Sequence, residues 1–312
     1  MHGDSDVPAL APLSRIQQRL IQSAGEIVQE DAASILYQHT VFCQTAMPYR
    51  DPGDHARVWE RVNGHTHLKI IAGEAMHPEE GRLVALGLPF GPKPRLILSH
   101  LNAEALRTGS PEIEIGASLT AFVKRLRLDP KGRNMRLIKD QLACLSASSI
   151  RLGLLRDGRA ITFNSHIVTA FDLWFPKDDR QRVLWPSTVR LSLDYFDSLT
   201  RHAVPLDERA IAGLSHSALG LDLYCWLAQR LHRVDPAKPA FIPWTALRDQ
   251  FGWHYGRLRK FREVFCLTLD GVLTQYRDAR VILDGRGLTL QNSPPPVRRR
   301  LSVVPKAPIT SG

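Results

Sequence analysis

The alternation of apolar and polar positions is most informative between residues 118 and 159. Its first part has the spacing i, i+3, i+4, i+7 of a short amphipathic helix, carried by Leu119, Phe122, Val123 and Leu126. Asp129-Pro130 follows, which predicts a helix N-cap and a proline at the first helical position. The pattern therefore predicts two consecutive helices separated by a short turn.

The second of these helices is basic on the side opposite its apolar stripe. The stripe consists of Met135, Ile138, Leu142 and Leu145. After the helix, residues 150–154 alternate like a strand, and Asp157-Gly158 is a strong hairpin signal that places Arg156 and Arg159 at the tip. Helix, turn, basic helix and hairpin is the order of a winged helix-turn-helix, in which the hairpin forms the wing.

The residues before this stretch extend the same order. A helix is predicted over 95–107, stopped by Gly109, and residues 112–115 alternate as a short strand. Further strands are predicted at 65–71, 82–86, 160–175 and 183–191, the last two separated by the charged turn 177–180. These extra strands enlarge the first unit, and one use for them is a sheet edge through which two chains pair as a homodimer.

The second half of the chain repeats the order. A long helix is predicted within 207–233, a short strand at 240–243 and a two-turn helix that stops at Gly252. A longer helix follows, with an inward face made of Leu258, Phe261, Phe265, Leu269 and Val272. Strands at 279–283 and 288–290 flank the turn 284–287 as a second wing.

These patterns predict an α+β fold with two tandem winged helix-turn-helix domains and extra strands in the first. The predicted boundaries are 1–39 for an N-terminal arm and helix, 40–192 and 193–292 for the two domains, and 293–312 for a basic, proline-rich disordered tail.

Charge favours a polyanionic partner. The formal net charge is +10 at pH 7, and between residues 118 and 139 seven Lys and Arg side chains face a single acid, Asp129. Apolar runs are too short to span a membrane, and the acidic N-terminus is unlike a signal peptide. Charge alone does not separate nucleic acid from an anionic membrane surface as that partner. The four cysteines have no C-x-x-C spacing, which predicts reduced, buried thiols in a cytoplasmic protein, and we expect no membrane partner.

Candidate DNA-binding residues come from the two basic helices and the two wings. Base-edge contacts are predicted for Arg133, Asn134, Arg136 and Lys139, because Asn can pair with adenine and Arg with guanine. Phosphate contacts and wing contacts are predicted for Lys124, Arg125, Arg127, Lys131, Arg156 and Arg159. In the second unit the equivalent residues are Arg257, Arg259, Lys260, Arg262 and Arg286. A solvated charged face is the alternative interpretation of such runs.

The motifs of several enzyme classes are missing. There is no G-x-x-x-x-G-K-[ST] phosphate loop, and the prolines within 87–93 remove the amide donors that such a loop needs. His65, His67 and His77 raise the possibility of a metal site or an origin nickase, but Thr66 is polar and Tyr255 lies in a predicted turn. We therefore expect no cofactor, no metal and no enzymatic activity. The aromatic residues Trp174, Trp185, Trp226, Trp244 and Phe241 are expected in the core rather than on a base-stacking surface.

Four segments resemble the RepA-type plasmid replication initiators of proteobacteria. They are FCQTAMPYRDPGD (42–54), GLPFGPKPRLILSHLNAEALRT (87–108), the stretch 171–210, and FGWHYGRLRKFR (251–262), and the likeness runs from about residue 40 to 297. The resemblance implies tandem winged helices that bind repeats (iterons) in double-stranded plasmid origin DNA. It also implies origin opening, recruitment of the host replication initiator and replicative helicase, and control of plasmid copy number.

Two other functions share part of this evidence. A winged-helix transcriptional regulator without a replication role would have every DNA-binding feature above. An origin nickase would need the histidines and Tyr255 as a catalytic site.

Overall fold

The protein is described by a computed structural model that covers residues 13–30, 32, 34–76, 81–115, 118–156, 159–170 and 188–297. Helices and strands are mixed, which confirms the predicted α+β class. The chain begins with α1 (Arg15–Gln29), β1 (Ile35–His39), α2 (Thr40–Gln44), β2 (Val58–Asn63), β3 (Thr66–Ile71), β4 (Glu74–Met76) and β5 (Leu83–Ala85).

The next group of elements contains the first basic helix. It comprises α3 (Pro92–Thr108), β6 (Glu112–Glu114), α4 (Leu119–Arg125), α5 (Gly132–Ala147), β7 (Ser149–Arg156), β8 (Arg159–His166), β9 (Val168–Ala170) and β10 (Thr188–Leu191). Local signals explain the bounds of α3, because Pro92 opens it and Gly109 closes it with a left-handed φ of 65°. The helix predicted over 95–107 is thus confirmed.

The start of α5 differs from the prediction. Lys131, not Asp129, is its N-cap residue, and the helix begins at Gly132. The Asp129 carboxylate instead pairs with Lys131 Nζ at 2.6 Å, and the Asp129 carbonyl accepts a hydrogen bond from Asn134 Nδ2 at 2.8 Å. Asp129 therefore makes its contacts in the turn before the helix begins, and the prediction that Asp129 is the N-cap and Pro130 the first helical residue is wrong.

The hairpin predicted as the first wing belongs to a larger sheet. β7 and β8 pair antiparallel as expected, but β7 pairs on its other side with β3, in a sheet of order β2-β3-β7-β8. Ile150 and Leu152 of β7 and Leu68 and Ile70 of β3 are all buried, so matching apolar faces fix this pairing. β6 pairs with β10 and β10 with β9, so β6 and the β7–β8 hairpin belong to different sheets. The Asp157-Gly158 turn and residues 171–187 lie outside the described residues.

The last group contains the second basic helix. It comprises α6 (Leu193–His202), β11 (Ala203–Asp207), α7 (Glu208–Gly213), α8 (Ala218–Arg230), β12 (Ala240–Pro243), α9 (Trp244–Phe251), α10 (Leu258–Gln275), β13 (Val281–Leu283) and β14 (Gly287–Leu290). The long helix predicted within 207–233 is in fact divided into α7 and α8, because Ser217 caps a new helix by accepting from the Gly220 amide.

From α8 onward the order of elements agrees with the prediction. β12 pairs with β14 and β14 with β13, which gives a three-stranded sheet beside α9 and α10. Phe261, Phe265, Leu269 and Val272 of α10 are buried, as their spacing predicted. Gly252 ends α9 where a Cβ atom would lie 2.2 Å from the Phe261 ring, so a larger residue there would push α10 away.

One hydrophobic core runs through both groups of elements. α2 and α3 pack on α8, β1 pairs with β11, and α1 lies against α7 and α10. Trp226 and Trp244 are buried in this core as predicted, whereas Phe241 is 49% exposed and the prediction for it is wrong. Trp174 and Trp185 lie outside the described residues.

The structure also describes the cysteines, which were expected to be reduced and buried, and the helices, which were expected to be unable to span a membrane. All four thiols are free; Cys43 and Cys225 are buried, whereas Cys144 and Cys266 are half-buried. Burial raises the pKa of the Cys144 thiol to about 11. None of the helices in the described ranges combines the length and the apolar character needed to cross a membrane.

A buried ion pair joins α3 to α8. The Arg95 guanidinium donates from Nε to Asp222 Oδ1 at 2.6 Å and from Nη2 to Asp222 Oδ2 at 2.8 Å. Its remaining donors reach the carbonyl oxygens of Gly91, Met47 and Pro48. Arg95 is 4% exposed and Asp222 is 6% exposed. Water therefore cannot solvate either charge if the other side chain is removed.

We predict that Asp222→Ala lowers the free energy of unfolding by about 3–5 kcal/mol, because it leaves the Arg95 charge buried without its counterion. Urea unfolding followed by circular dichroism measures this loss. Arg107→Ala, on α3 with Arg95, is the matched control. Arg107 pairs with Glu104 at 2.7 Å on the surface, and its loss should cost far less stability than the loss of Asp222. Equal losses for the two variants would contradict the prediction.

Candidate nucleic-acid interface

The first basic helix, α5, presents its cations on the side away from its buried stripe. Ile138, Leu142 and Leu145 are buried, while Arg133 and Arg136 are exposed and Lys139 is half-buried. Neither Arg133 nor Arg136 has an ion-pair partner among the described residues. These two guanidinium groups are therefore available to an anion that approaches α5 from solvent.

Asn134 is less available than its sequence position suggests. It is half-buried, and its Nδ2 donates to the Asp129 carbonyl at 2.8 Å. The amide thus closes the turn between α4 and α5. To pair with adenine, Asn134 would have to give up this hydrogen bond.

The cations around α4 are exposed but engaged. Arg125 donates to the Glu114 carbonyl at 3.1 Å, and Arg127 Nη2 lies 3.0 Å from Glu208 Oε2 on α7. Lys131 pairs with Asp129 as described above. Lys124 is exposed at the end of α4. The exposed pair of Lys131 with Asp129 is weak, so a phosphate can replace that carboxylate at little cost, whereas the Glu208 side chain is only 13% exposed and loses more when Arg127 leaves it.

Two cations that the sequence patterns did not single out belong to the same region. Lys93, in the first turn of α3, is half-buried, and its pKa is lowered to about 8 by burial and by the charges of Arg19 and Arg133. Arg19 lies on α1 and donates to Ser215 Oγ at 3.0 Å. Three elements that are distant in the sequence thus bring positive charge to the N-terminal end of α5. Spacing within one helix could not reveal this.

The second basic helix, α10, carries its cations in its first turns. Arg257, Arg259 and Lys260 are exposed, whereas Arg262 is half-buried with its guanidinium 4.9 Å from the centre of the Trp244 ring. Arg262 therefore packs on Trp244 of its own unit and is less available than its neighbours, and its contact with DNA stays a prediction.

An acid and an apolar side chain, both missed by the sequence analysis, share the outer face of α10. Glu263 pairs with Lys260 at 3.0 Å and with Arg259 at 3.5 Å, and hydrogen bonding from Lys260 lowers the pKa of its carboxyl group. Leu267, one turn further on, is 74% exposed. A carboxylate can accept from the cytosine amino group, and an apolar side chain can contact the thymine methyl group.

The structure describes the arginines predicted at the two wings to different extents. Arg286 is exposed in the turn between β13 and β14, 3.6 Å from Asp284 and with its guanidinium 5.8 Å from the centre of the exposed Phe241 ring. Asp284 shapes this turn, because its Oδ1 accepts from the amides of Arg286 and Gly287. Arg156 and Arg159 face each other in the register of β7 and β8. Their side chains lie outside the described part of the chain.

Three of the four segments that carry the resemblance meet at one place. Arg95, from 87–108, donates to the carbonyl oxygens of Met47 and Pro48, from 42–54. The Tyr49 ring stacks on Trp253, from 251–262, with ring centres 4.7 Å apart. The fourth segment, 171–210, is described only from residue 188 onward.

Two side chains considered for a metal or nickase site, His67 and Tyr255, have other contacts. His67 Nε2 lies 2.7 Å from Glu60 Oε1, and the Tyr255 ring packs 4.2 Å from that of His254. Within the described ranges, no group of three or more His, Cys, Asp or Glu side chains is placed to hold a metal ion. His77 lies outside them.

Together these features define an α+β protein in which two helices that share one core, α5 and α10, each present exposed cations. Residues 88–246 match the family described as plasmid-encoded RepA protein, and the chain belongs to that family. This confirms the resemblance to RepA-type plasmid replication initiators.

Solved structures give a more distant comparison. Two crystal structures of domains 2 and 3 of RctB are 11% and 9% identical to this chain, each with a TM-score of 0.46. Each covers 80% of this chain, and the matched parts cover 95% and 94% of those chains. No curated protein shows a significant sequence match.

We predict that Arg133→Gln raises the pKa of Lys93 from about 8 towards the ordinary value of 10.5, because it removes one of the two neighbouring positive charges. The pKa should not return completely, since burial is the larger cause. NMR titration of the Lys93 side chain measures the shift. Arg286→Gln, far along the chain on the other wing, is the control and should leave the pKa of Lys93 unchanged. An unchanged value in Arg133→Gln would mean that Arg133 does not face Lys93.

Proposed function

We propose that this protein is a plasmid replication initiator that binds repeated sequences in its origin. Its membership of the plasmid-encoded RepA family supports this function. The structural observation that carries the DNA-binding part is the placement of two exposed basic helices, α5 and α10, on one continuous core. A protein built this way presents two reading helices in a fixed relation.

In this proposal each basic helix belongs to a winged helix-turn-helix unit. The second unit has the required order, with α8, β12, α9 and α10 followed by the β13–β14 wing, and β12 completes the sheet. In the first unit α3, β6, α4 and α5 supply the helices and the short strand. β9 and β10 occupy the wing strands, since both belong to the sheet that contains β6.

The two helices enter successive major grooves and read one asymmetric repeat of about two helical turns. Arg133 and Arg136 contact base edges from α5, while Arg257, Arg259 and Lys260 work from α10. Lys124, Arg127 and Lys131 hold phosphates, and Lys93 and Arg19 add to the positive potential near them. Glu263 and Leu267 extend the reading surface of α10.

Bound at several repeats, the protein would strain the duplex, promote origin opening and recruit the host initiator and replicative helicase. Binding near its own promoter would repress its gene and limit copy number. We propose that none of these steps requires catalysis by this chain. Incubating supercoiled origin plasmid with Mg²⁺ should then yield no relaxed circles, and their appearance would instead indicate a nickase.

The first experiment is a footprint of the purified protein on the DNA that flanks its gene, at roughly 0.15 M salt so that nonspecific attraction is screened. Protections that recur at intervals of about two helical turns are expected for an initiator. A single palindrome at the promoter would favour a transcriptional regulator. Replication of a plasmid whose only protein is this one separates the two functions further, since a regulator cannot support it.

We predict that Arg136→Ala weakens binding to the repeat by about 1–3 kcal/mol and relaxes specificity at one base pair. The reason is that Arg136 is exposed on α5 and has no ion-pair partner among the described residues, so it can pair with a guanine edge. Competition assays with a set of single-base variants of the repeat measure both effects. Arg107→Ala, which removes an exposed arginine from outside the interface, should leave binding unchanged. Unaltered binding by Arg136→Ala would exclude this residue from the interface.

A further inference from the structure

An aromatic cluster fixes the turn of the second helix-turn-helix to the predicted first domain. The turn between α9 and α10 carries Trp253, whose ring lies 4.7 Å from that of Tyr49 and 5.2 Å from that of Trp59. Tyr49 precedes β2 and Trp59 lies on it. The turn that leads into the basic helix is therefore held by residues roughly two hundred positions earlier in the sequence.

A cation completes the cluster. The Arg61 guanidinium lies 3.8 Å from the centre of the Trp253 ring and 4.7 Å from the centre of the Trp59 ring. Both distances are within the range of a cation–π contact, so the one cation attracts both indole rings. Trp59 is itself anchored, since its Nε1 donates to the Ala46 carbonyl at 2.8 Å. The cluster is thus attached to the first domain by the backbone as well as by the rings.

The position of this cluster relative to α10 gives it a specific consequence. Trp253 is four residues before Arg257, the N-cap of α10, and the intervening turn is closed by the hydrogen bond from the Tyr255 amide to the Gly252 carbonyl at 2.9 Å. The N-cap has no side-chain hydrogen bond of its own. The direction in which the first turn of α10 leaves the surface therefore depends on contacts made by the preceding turn.

We infer that Trp253 is a positioning residue for DNA recognition. Clamped by Tyr49, Trp59 and Arg61, it sets the direction of the first turn of α10 and so places Arg257 against the repeat. This inference rests on the proposed function and assigns to it a residue that need not touch DNA.

A double-mutant cycle tests it. Trp253→Ala and Arg257→Ala are each expected to weaken binding to the repeat about tenfold, and the double variant should lose about as much as one single variant, because Arg257 is already misplaced. Combined with Arg136→Ala on α5, Trp253→Ala should instead give the product of the two losses, about hundredfold. Trp253→Phe keeps a stacking ring and should restore most of the affinity.

One control measurement and one further variant allow the result to be interpreted even if a variant folds poorly. The active fraction of each variant is determined by stoichiometric titration, and Arg61→Gln, which removes the cation but leaves the rings, repeats the cycle if Trp253→Ala does not fold. Losses that multiply with both Arg257→Ala and Arg136→Ala would assign Trp253 a purely structural role and overturn the inference. Failure of the wild-type protein to bind any repeat would refute the proposed function instead.

Discussion

The bidentate pair between Arg95 and Asp222 is the interaction on which the arrangement of the molecule depends. Five hydrogen bonds from one buried guanidinium connect α3 to α8 and to the carbonyl oxygens of Met47, Pro48 and Gly91. Replacing such a pair with apolar side chains often costs little net stability, whereas removing one partner costs much. Its main effect is therefore on geometry: the compact state that satisfies all five donors has one relative position of α3 and α8.

That position determines the relation between the two basic helices. α3 packs on α5, and α8 packs on α10. A fixed contact between α3 and α8 therefore also fixes the position of α5 relative to α10. The packing of α2 on α8 and the cluster of Trp253, Arg61 and Trp59 add contacts of the same kind. Two reading helices joined by a flexible linker would accept many spacings between their binding sites. Two helices held on one core select one spacing, which suits a repeat of constant length.

The sequence predicted well those features that depend on neighbours along the chain. The helices α3, α4 and α10 follow from apolar spacing and from stop signals such as Gly109, and the order of elements from α8 to β14 follows in the same way. The errors arise where a distant segment competes. β7 and β8 form the expected hairpin, but strand β3, about 80 residues earlier, offers β7 a matching apolar face and takes it into another sheet. Likewise, no local pattern contains the contacts between distant segments that place Lys93 near Arg133, leave Phe241 exposed and pair Arg95 with Asp222.

The same distinction applies to the basic surface. Counting charges between residues 118 and 139 treats all seven cations alike, whereas the structure divides them by partner: Arg127 with Glu208, Lys131 with Asp129, and Arg125 with a carbonyl oxygen. An exposed pair such as Lys131 with Asp129 contributes about 0–1 kcal/mol. A phosphate that takes the place of the carboxylate therefore costs little, although it gains less than it would at a cation without a partner. Among the described residues Arg133 and Arg136 form no ion pair, although the Asp140 carboxylate attracts Arg136 electrostatically. In the proposed complex they are the cations of α5 most available to DNA. On α10, Glu263 pairs with Arg259 and Lys260 and offsets part of their charge. In the proposed complex both helices therefore combine electrostatic attraction with contacts to base edges. A base-edge contact needs an accurately placed side chain, so the direction of the first turn of α10 matters for the proposed recognition.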